Sequence, residues 1–226
     1  MSDKTVKSTK DIETWVFDLD NTLYHHEIDL FKQIDVKMGA YLAKLFDVNL
    51  VEARRIQKKY LVEYGTTLRG LMNHHDVDPH HYLADVHDID LSPIEEDAKL
   101  RETLEDLKGQ KLIFTNADTP YSERVLDRLG IAHLFDGIFD VNAADFKPKP
   151  DKSTYQSFLK VHNVKPKAAL MVEDMARNLV PAKDLGMHTV WINTGSVWGE
   201  PDHCQSHIDI EIDALTPWLS RFTKND

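Results

Sequence analysis

The chain is poor in cysteine, in positive charge and in long apolar runs. Its 226 residues include one cysteine, Cys204, which excludes an internal disulfide and fits a reducing compartment better than a secreted scaffold. Lysine and arginine number 27 against 38 aspartates and glutamates, a formal net charge of −11. A surface that acidic repels phosphate backbones and anionic lipid, so partners among nucleic acids and membranes are disfavoured. No apolar run approaches the ~18 residues of a membrane span, and Met1 to Glu13 lacks the apolar stretch of a signal peptide. These absences predict a cytoplasmic protein. With 42% hydrophobic and 29% charged residues, no internal repeat and no low-complexity tract, the composition is that of a globular chain with a substantial core.

Five short apolar runs stand out: Thr14 to Phe17, Lys111 to Phe114, Gly137 to Phe139, Ala168 to Val172 and Thr189 to Ile192. None has the period-two amphipathicity of a half-exposed strand. Helical stripes separate them, as at Val125, Leu126 and Leu129 before Gly130, at Tyr155, Phe158, Leu159 and His162, and at Leu179, Ala182 and Leu185 before Gly186. Strands alternating with helices in this way predict a doubly wound α/β core with a parallel sheet covered on both faces. From Leu30 to Leu91 the rhythm changes. Leu30, Ile34, Met38, Leu42 and Leu45 recur at helical spacing, as do Ala53, Ile56, Tyr60 and Tyr64, and no strand-like run lies among them. The interval between the first two strands is far longer than one crossover helix needs. It predicts an inserted all-helical cap over residues 24–91, on a core of residues 1–23 and 92–226. The stretch Gly195 to Asp209 reads as a surface loop before a last helix near Ile212 to Phe222.

In open parallel sheets ligands bind beyond the carboxyl ends of the strands. The residues there are Asp18 and Asp20, then Thr115 and Asn116, then Lys149, then Glu173 and Asp174. Alternation along extended backbone lets Asp18 and Asp20 approach one site. Together with Asp174 they offer hard oxygen ligands suited to Mg²⁺. Phosphoryl transfer needs such a set: a nucleophile, an acid/base, a cation and donors for phosphate oxygens.

Phe17-Asp18-Leu19-Asp20-Asn21-Thr22-Leu23, Phe114-Thr115-Asn116, Lys149-Pro150 and Val172-Glu173-Asp174, in that order, resemble the four motifs of the haloacid dehalogenase-like hydrolases. The resemblance implies a Rossmann-like core and an aspartyl-phosphate mechanism. Asp18 would be the nucleophile and Asp20 the acid/base; Thr115 would hold a phosphate oxygen and Lys149 would neutralise charge. Mg²⁺ would be held by Asp18, the Asp20 backbone carbonyl and Asp174. Lys147 also precedes a proline and competes for the lysine role, but family members usually place an aromatic six residues after the lysine, which Tyr155 satisfies for Lys149. Many relatives carry a second aspartate where this chain has Asn178, an amide that could hold a metal-bound water or orient Lys149. Glu173 is expected behind the liganding groups or as a plain strand-end carboxylate.

Within the family, the chain is similar to bacterial pyrimidine 5′-nucleotidases with a helical cap. Asp18 to Tyr24, Tyr64-Gly65-Thr66-Thr67-Leu68-Arg69-Gly70-Leu71, Val86-His87-Asp88-Ile89, Pro148-Lys149-Pro150 and Glu173 to Leu179 carry that likeness. It implies Mg²⁺-dependent hydrolysis of pyrimidine nucleoside 5′-monophosphates, with Asn116, Tyr24, Thr66, Thr67 and Arg69 binding substrate. Phosphoglycolate or a sugar phosphate is the alternative substrate. A carbon-halogen hydrolase, which would lack a need for Asp20, and a non-catalytic binding protein are weaker readings. Gly65 and Gly70 read as substrate contacts or as helix breakers with equal weight, and a homodimer through exposed cap residues stays open. The pairs His25-His26, His74-His75 and His80-His81 read as surface residues, lacking nearby cysteine or acidic partners for zinc.

Overall fold

A computed structural model describes residues 11–196, 199–200 and 205–222. Cys204 lies outside them. Six parallel strands form one sheet in the order β3-β2-β1-β4-β5-β6: β1 Thr14–Phe17, β2 Gln110–Phe114, β3 Gly137–Phe139, β4 Ala169–Glu173, β5 His188–Ile192 and β6 Ile210–Ile212. Successive side chains on a strand point to opposite faces, and here both faces are covered. Trp15 and Phe17 pack on one side with Ile113, Val172 and Val190, while Val16 packs on the other with Leu112, Phe114 and Met171. Burial on both faces explains why the strands read as unbroken apolar runs.

Helices α5 Ala98–Asp106, α6 Thr119–Leu129, α7 Lys152–Val161, α8 Ala176–Asp184 and α9 Leu215–Leu219 flank the sheet. Between β1 and α5 lie four further helices, α1 Leu30–Phe46, α2 Leu50–Tyr64, α3 Thr67–His74 and α4 Pro79–Val86. They close around their own apolar cluster of Leu42, Ala53, Tyr60, Leu71, Tyr82 and Val86, to which Val141 and Phe146 also contribute. This is the helical cap the sequence predicts. None of the described helices is long and apolar enough to cross a membrane.

Two glycines earn their places in the cap by geometry. Gly65, at φ +81°, ends α2 in the left-handed region. Gly70 lies inside α3, where a Cβ would stand 2.4 Å from Cγ of Tyr60, so its missing side chain lets α2 and α3 touch. Gly70 is therefore a packing residue and not a helix breaker.

The sequence reading of the C-terminus needs correction. Ile212 belongs to edge strand β6, paired with Ile192 of β5, and the last helix covers only Leu215–Leu219. Ile210, half-buried, and Ile212, buried, flank the exposed Glu211, a period-two pattern too short to register as a strand. Of the loop expected over Gly195 to Asp209, residues 197–198 and 201–204 lie outside the described residues, and Gln205–His207 forms a 3-10 turn.

Candidate active site

The chain leaves β1 for β2 and β3 on one side, then crosses to β4 on the other. The strand order therefore reverses at β1, and a crevice opens beyond its carboxyl end. Register fills that crevice. Phe17 pairs with Ile113 of β2 and Val172 of β4, so Asp18 and Glu173 emerge side by side, with Thr115 one residue further along β2. Backbone bonds fix the exits: Asp18 N–H donates to the Val172 carbonyl at 3.0 Å and Thr115 N–H to the Phe139 carbonyl at 3.1 Å.

Lys149 reaches into this crevice and is 1% exposed. Its ammonium donates to Asp18 Oδ1 at 2.7 Å, Glu173 Oε2 at 2.6 Å and the Phe114 carbonyl at 2.7 Å. Burial disfavours the ammonium, but the two carboxylates outweigh that and raise its pKa. Lys147 instead sits at the surface, 3.9 Å from Asp145, so of the two lysines only Lys149 reaches the crevice. Asn116 holds the Lys149 backbone from both sides, its Oδ1 accepting from the Lys149 N–H at 2.7 Å and its Nδ2 donating to the Lys149 carbonyl at 3.3 Å. The Lys149-Pro150 peptide is cis. Tyr155, six residues on, donates its hydroxyl to the Asn178 carbonyl and so ties α7 to α8.

Asp18, Glu173 and Asp174 are 6%, 1% and 5% exposed, and each offers an oxygen within 4.8 Å of the others. Three carboxylates face a single ammonium. Burial, then Glu173, push Asp18 up to about 7 despite Lys149, and burial, Glu173 and Asp18 hold Asp174 well above its ordinary value. Such an oxygen set with uncompensated negative charge fits a hard divalent cation. Both oxygens of Glu173 are engaged, by Lys149 at 2.6 Å and by the Met175 N–H at 3.2 Å, whereas among the described residues Asp18 Oδ2 accepts only from the Thr22 hydroxyl and Asp174 Oδ2 only from the Asn21 amide, each at 3.4 Å, which leaves those two oxygens better placed as ligands.

Asp20 turns to a different pair. Tyr24 and Tyr121 both donate their hydroxyls to its Oδ1, at 2.6 and 2.8 Å, and no side chain among the described residues is bonded to its Oδ2. Burial and the Asp20 charge raise both tyrosine pKa values, so the phenols stay protonated donors.

Above the crevice a cavity of about 270 Å³ runs into the cap. Its core end is lined by Asp18, Asp20, Thr115, Asn116, Lys149, Glu173, Asp174 and Asn178; its cap end by Asp35, Gln57, Thr66, Thr67, Tyr82 and His87. Three of these carry buried polar atoms without a partner: Gln57 Oε1, Tyr82 Oη and Asn178 Oδ1.

The structure places the expected cap residues as follows. Thr66 and Thr67 line the cavity, but the Thr66 hydroxyl accepts from Arg69 N–H to cap α3, and Thr67 donates to the Gln57 carbonyl at 3.3 Å. Tyr24 is buried under Asp20 and Arg69 lies off the cavity, so neither lines it. Asn116 spends its amide on Lys149, and Asn178 is not among the partners of the Lys149 ammonium. Of the paired histidines all but the half-buried His26 are exposed, as expected; His25, His26 and Glu27 do converge within 4.8 Å at the surface. Sequence reasoning missed Tyr121, Gln57, Tyr82 and the pair His87 and Asp118. The first three sit in helical stripes that read as core, and only His87 carried a signal, within the Val86 to Ile89 stretch.

Comparison with known proteins agrees with this geometry. "Phosphate metabolism protein 8" of Saccharomyces cerevisiae is 30% identical over 77% of this chain and 60% of its own length. "Phosphoglycolate phosphatase" of Vibrio cholerae is 32% identical over 39% of each chain. This chain thus spans under two thirds of the length of either relative. A solved "HAD phosphatase from Thermococcus onnurineus" shares the fold with a TM-score of 0.63 at 20% identity, covering 93% of this chain and 97% of the other. The family model described as haloacid dehalogenase-like hydrolase matches residues 15–192, from β1 to the end of β5 and through every group in the crevice, and the chain belongs to that family.

Proposed function

We propose that the protein is a divalent-cation-dependent phosphatase acting on small phosphate monoesters, with pyrimidine nucleoside 5′-monophosphates as its substrates. The observation that carries this reading is the pairing of one buried carboxylate, Asp18, bound to Lys149, with a second, Asp20, held by two tyrosine hydroxyls. Asp18 attacks phosphorus, the bond to the leaving oxygen breaks, and Asp20 protonates that oxygen from its unbonded Oδ2. Asp20 then takes a proton from the water that attacks the aspartyl-phosphate, which releases phosphate and restores Asp18. A leaving group that needs a proton gives Asp20 its purpose, whereas a departing halide would not. Thr115 holds a phosphoryl oxygen, and the Lys149 ammonium neutralises charge on Asp18 and the phosphoryl group. Asp18, Asp174 and the Asp20 backbone carbonyl would hold Mg²⁺, which supplies charge neutralisation of the phosphoryl oxygens when bound.

The pyrimidine preference rests on the cap end of the cavity, where residues 24–91 would form a lid on a core of 1–23 and 92–226. Its Gln57, Tyr82 and Thr66 offer neutral hydrogen-bonding groups suited to a base and sugar. Similarity to a phosphoglycolate phosphatase keeps that substrate as the second reading.

The test is phosphate release from nucleotides, sugar phosphates and phosphoglycolate, with Mg²⁺ and with chelator, for wild type and Asp18→Asn. Pyrimidine monophosphates should lead the panel, and chelator or the substitution should abolish release. A different leading substrate would sink the cap reading alone; release that survives Asp18→Asn would sink the mechanism.

A further inference from the structure

The end of α4 returns to the core through His87, which is 7% exposed and lines the cavity beside Asp20. Its Nδ1 lies 2.8 Å from Asp118 Oδ1. That carboxylate oxygen also accepts from the Tyr121 N–H at 3.3 Å, as the cap of α6. A carboxylate only accepts, so Nδ1 carries a proton, and in the neutral ring Nε2 presents a lone pair. No group among the described residues is bonded to Nε2, and it is not among the buried polar atoms sealed without a partner, so it keeps accessible surface. The ring is fixed on its other sides as well. It stacks on Tyr121 with centroids 4.6 Å apart and planes 19° from parallel, and Arg124 donates to the His87 carbonyl. The hydroxyl of that same Tyr121 donates to Asp20 Oδ1.

One aromatic ring thus separates His87 from the carboxylate that protonates the leaving oxygen. Both His87 and Asp20 line the cavity that runs from the crevice into the cap. We propose that His87 contacts the substrate: its Nε2 accepts a hydrogen bond from a hydroxyl of the leaving alcohol. This inference rests on the phosphatase reading and narrows it to esters whose leaving group is a sugar or polyol. A leaving group ending in a carboxylate, as in phosphoglycolate, sets acceptor against acceptor at Nε2 and is selected against. Asp118 is a positioning residue in this scheme, because it fixes the tautomer without touching substrate.

Two substitutions separate the ring nitrogens. His87→Asn keeps an amide N–H near the Nδ1 position and removes Nε2, whereas His87→Gln carries its amide out to the Nε2 position. The experiment compares kcat/KM within matched pairs of esters, uridine 5′-monophosphate against its 2′,3′-dideoxy analogue and glycerol 1-phosphate against propyl phosphate, with thermal midpoints measured alongside. Wild type should favour the hydroxylated member by about tenfold or more, the scale of one lost hydrogen bond in a buried site. His87→Asn should bring that ratio near one, and His87→Gln should recover part of it. A ratio near one in wild type overturns the inference. So does a ratio that His87→Asn leaves unchanged with the thermal midpoint preserved, and so does equal loss in Asn and Gln variants. If wild type releases phosphate from no ester at all, the phosphatase reading itself has failed and the role of His87 falls with it.

Discussion

Lys149 Nζ lies 2.6 Å from Glu173 Oε2, on the same ammonium that holds Asp18 Oδ1 at 2.7 Å. One cation therefore sets the position of the Asp18 carboxylate while a second carboxylate keeps that cation from collapsing onto it. Asp174 completes the cluster, and Lys149 is bonded to two of these three buried acids.

Replacing Lys149 by Met should therefore cost stability as well as activity. Removing one partner of a buried ion pair leaves uncompensated charge and costs about 3–5 kcal/mol. A divalent cation bound at Asp18 and Asp174 would offset part of that charge. Urea titrations should show millimolar Mg²⁺ stabilising Lys149→Met more than wild type; an equal or smaller gain would argue that no cation binds at these carboxylates.

Tyr24 and Tyr121 share one oxygen of Asp20, which makes their effects interdependent. Tyr24→Phe and Tyr121→Phe should each lower kcat by about threefold to tenfold, the scale of one hydrogen bond, with KM little changed for Tyr24→Phe because that ring does not line the cavity. The double variant should depart from the product of the single effects. A rise in KM alone for Tyr24→Phe would mean that the phenol reaches substrate after all.

In the cap, Gly70→Ala places a methyl group against the Tyr60 ring at the contact of α2 and α3. Overpacking of this kind costs about 1–3 kcal/mol. Denaturation midpoints would reveal it, and an unchanged midpoint would show that the two helices do not depend on close approach.

Asp140, at the end of β3, accepts from the Ala143 and Thr119 N–H groups, the Thr119 hydroxyl and the Asn142 amide at 2.8 to 2.9 Å. Burial works to raise its pKa, but these donors prevail and hold it below the ordinary carboxylate value. A lowered carboxylate pKa contributes stability that is complete above the unfolded value, about 3.9, and is lost as pH falls through the folded value. Asp140→Asn should thus flatten the acid limb of the stability curve below about pH 4, and an unaltered limb would count against the network.

The strand-end groups were legible because β1, β2 and β4 are buried on both faces. Their apolar runs stop where the chain meets the crevice, so Asp18, Thr115 and Glu173 announce themselves as the first polar residues after Phe17, Phe114 and Val172. Tyr121 could not be read this way. It meets Asp20 across 101 residues of chain, and its ring occupies a helical stripe that periodicity assigns to core. Gln57 and Tyr82 were hidden likewise, since a helix face lining a cavity has the same spacing as one packed on a neighbour. Strand β6 escaped because three residues at a sheet edge carry too little pattern.

The central place of β1 has a consequence for how the molecule comes apart. The Asp18 amide is bonded to Val172 in the middle of the sheet, with β2 and β4 locked on either side. Its hydrogen exchange should track global unfolding, whereas amides of α2 to α4, held around a separate apolar cluster, are free to exchange through smaller openings. The Asp18 end of the crevice thus belongs to the last part of the molecule to open, and the cap end of the cavity to a part that can fluctuate, and drift through substitution, without disturbing it.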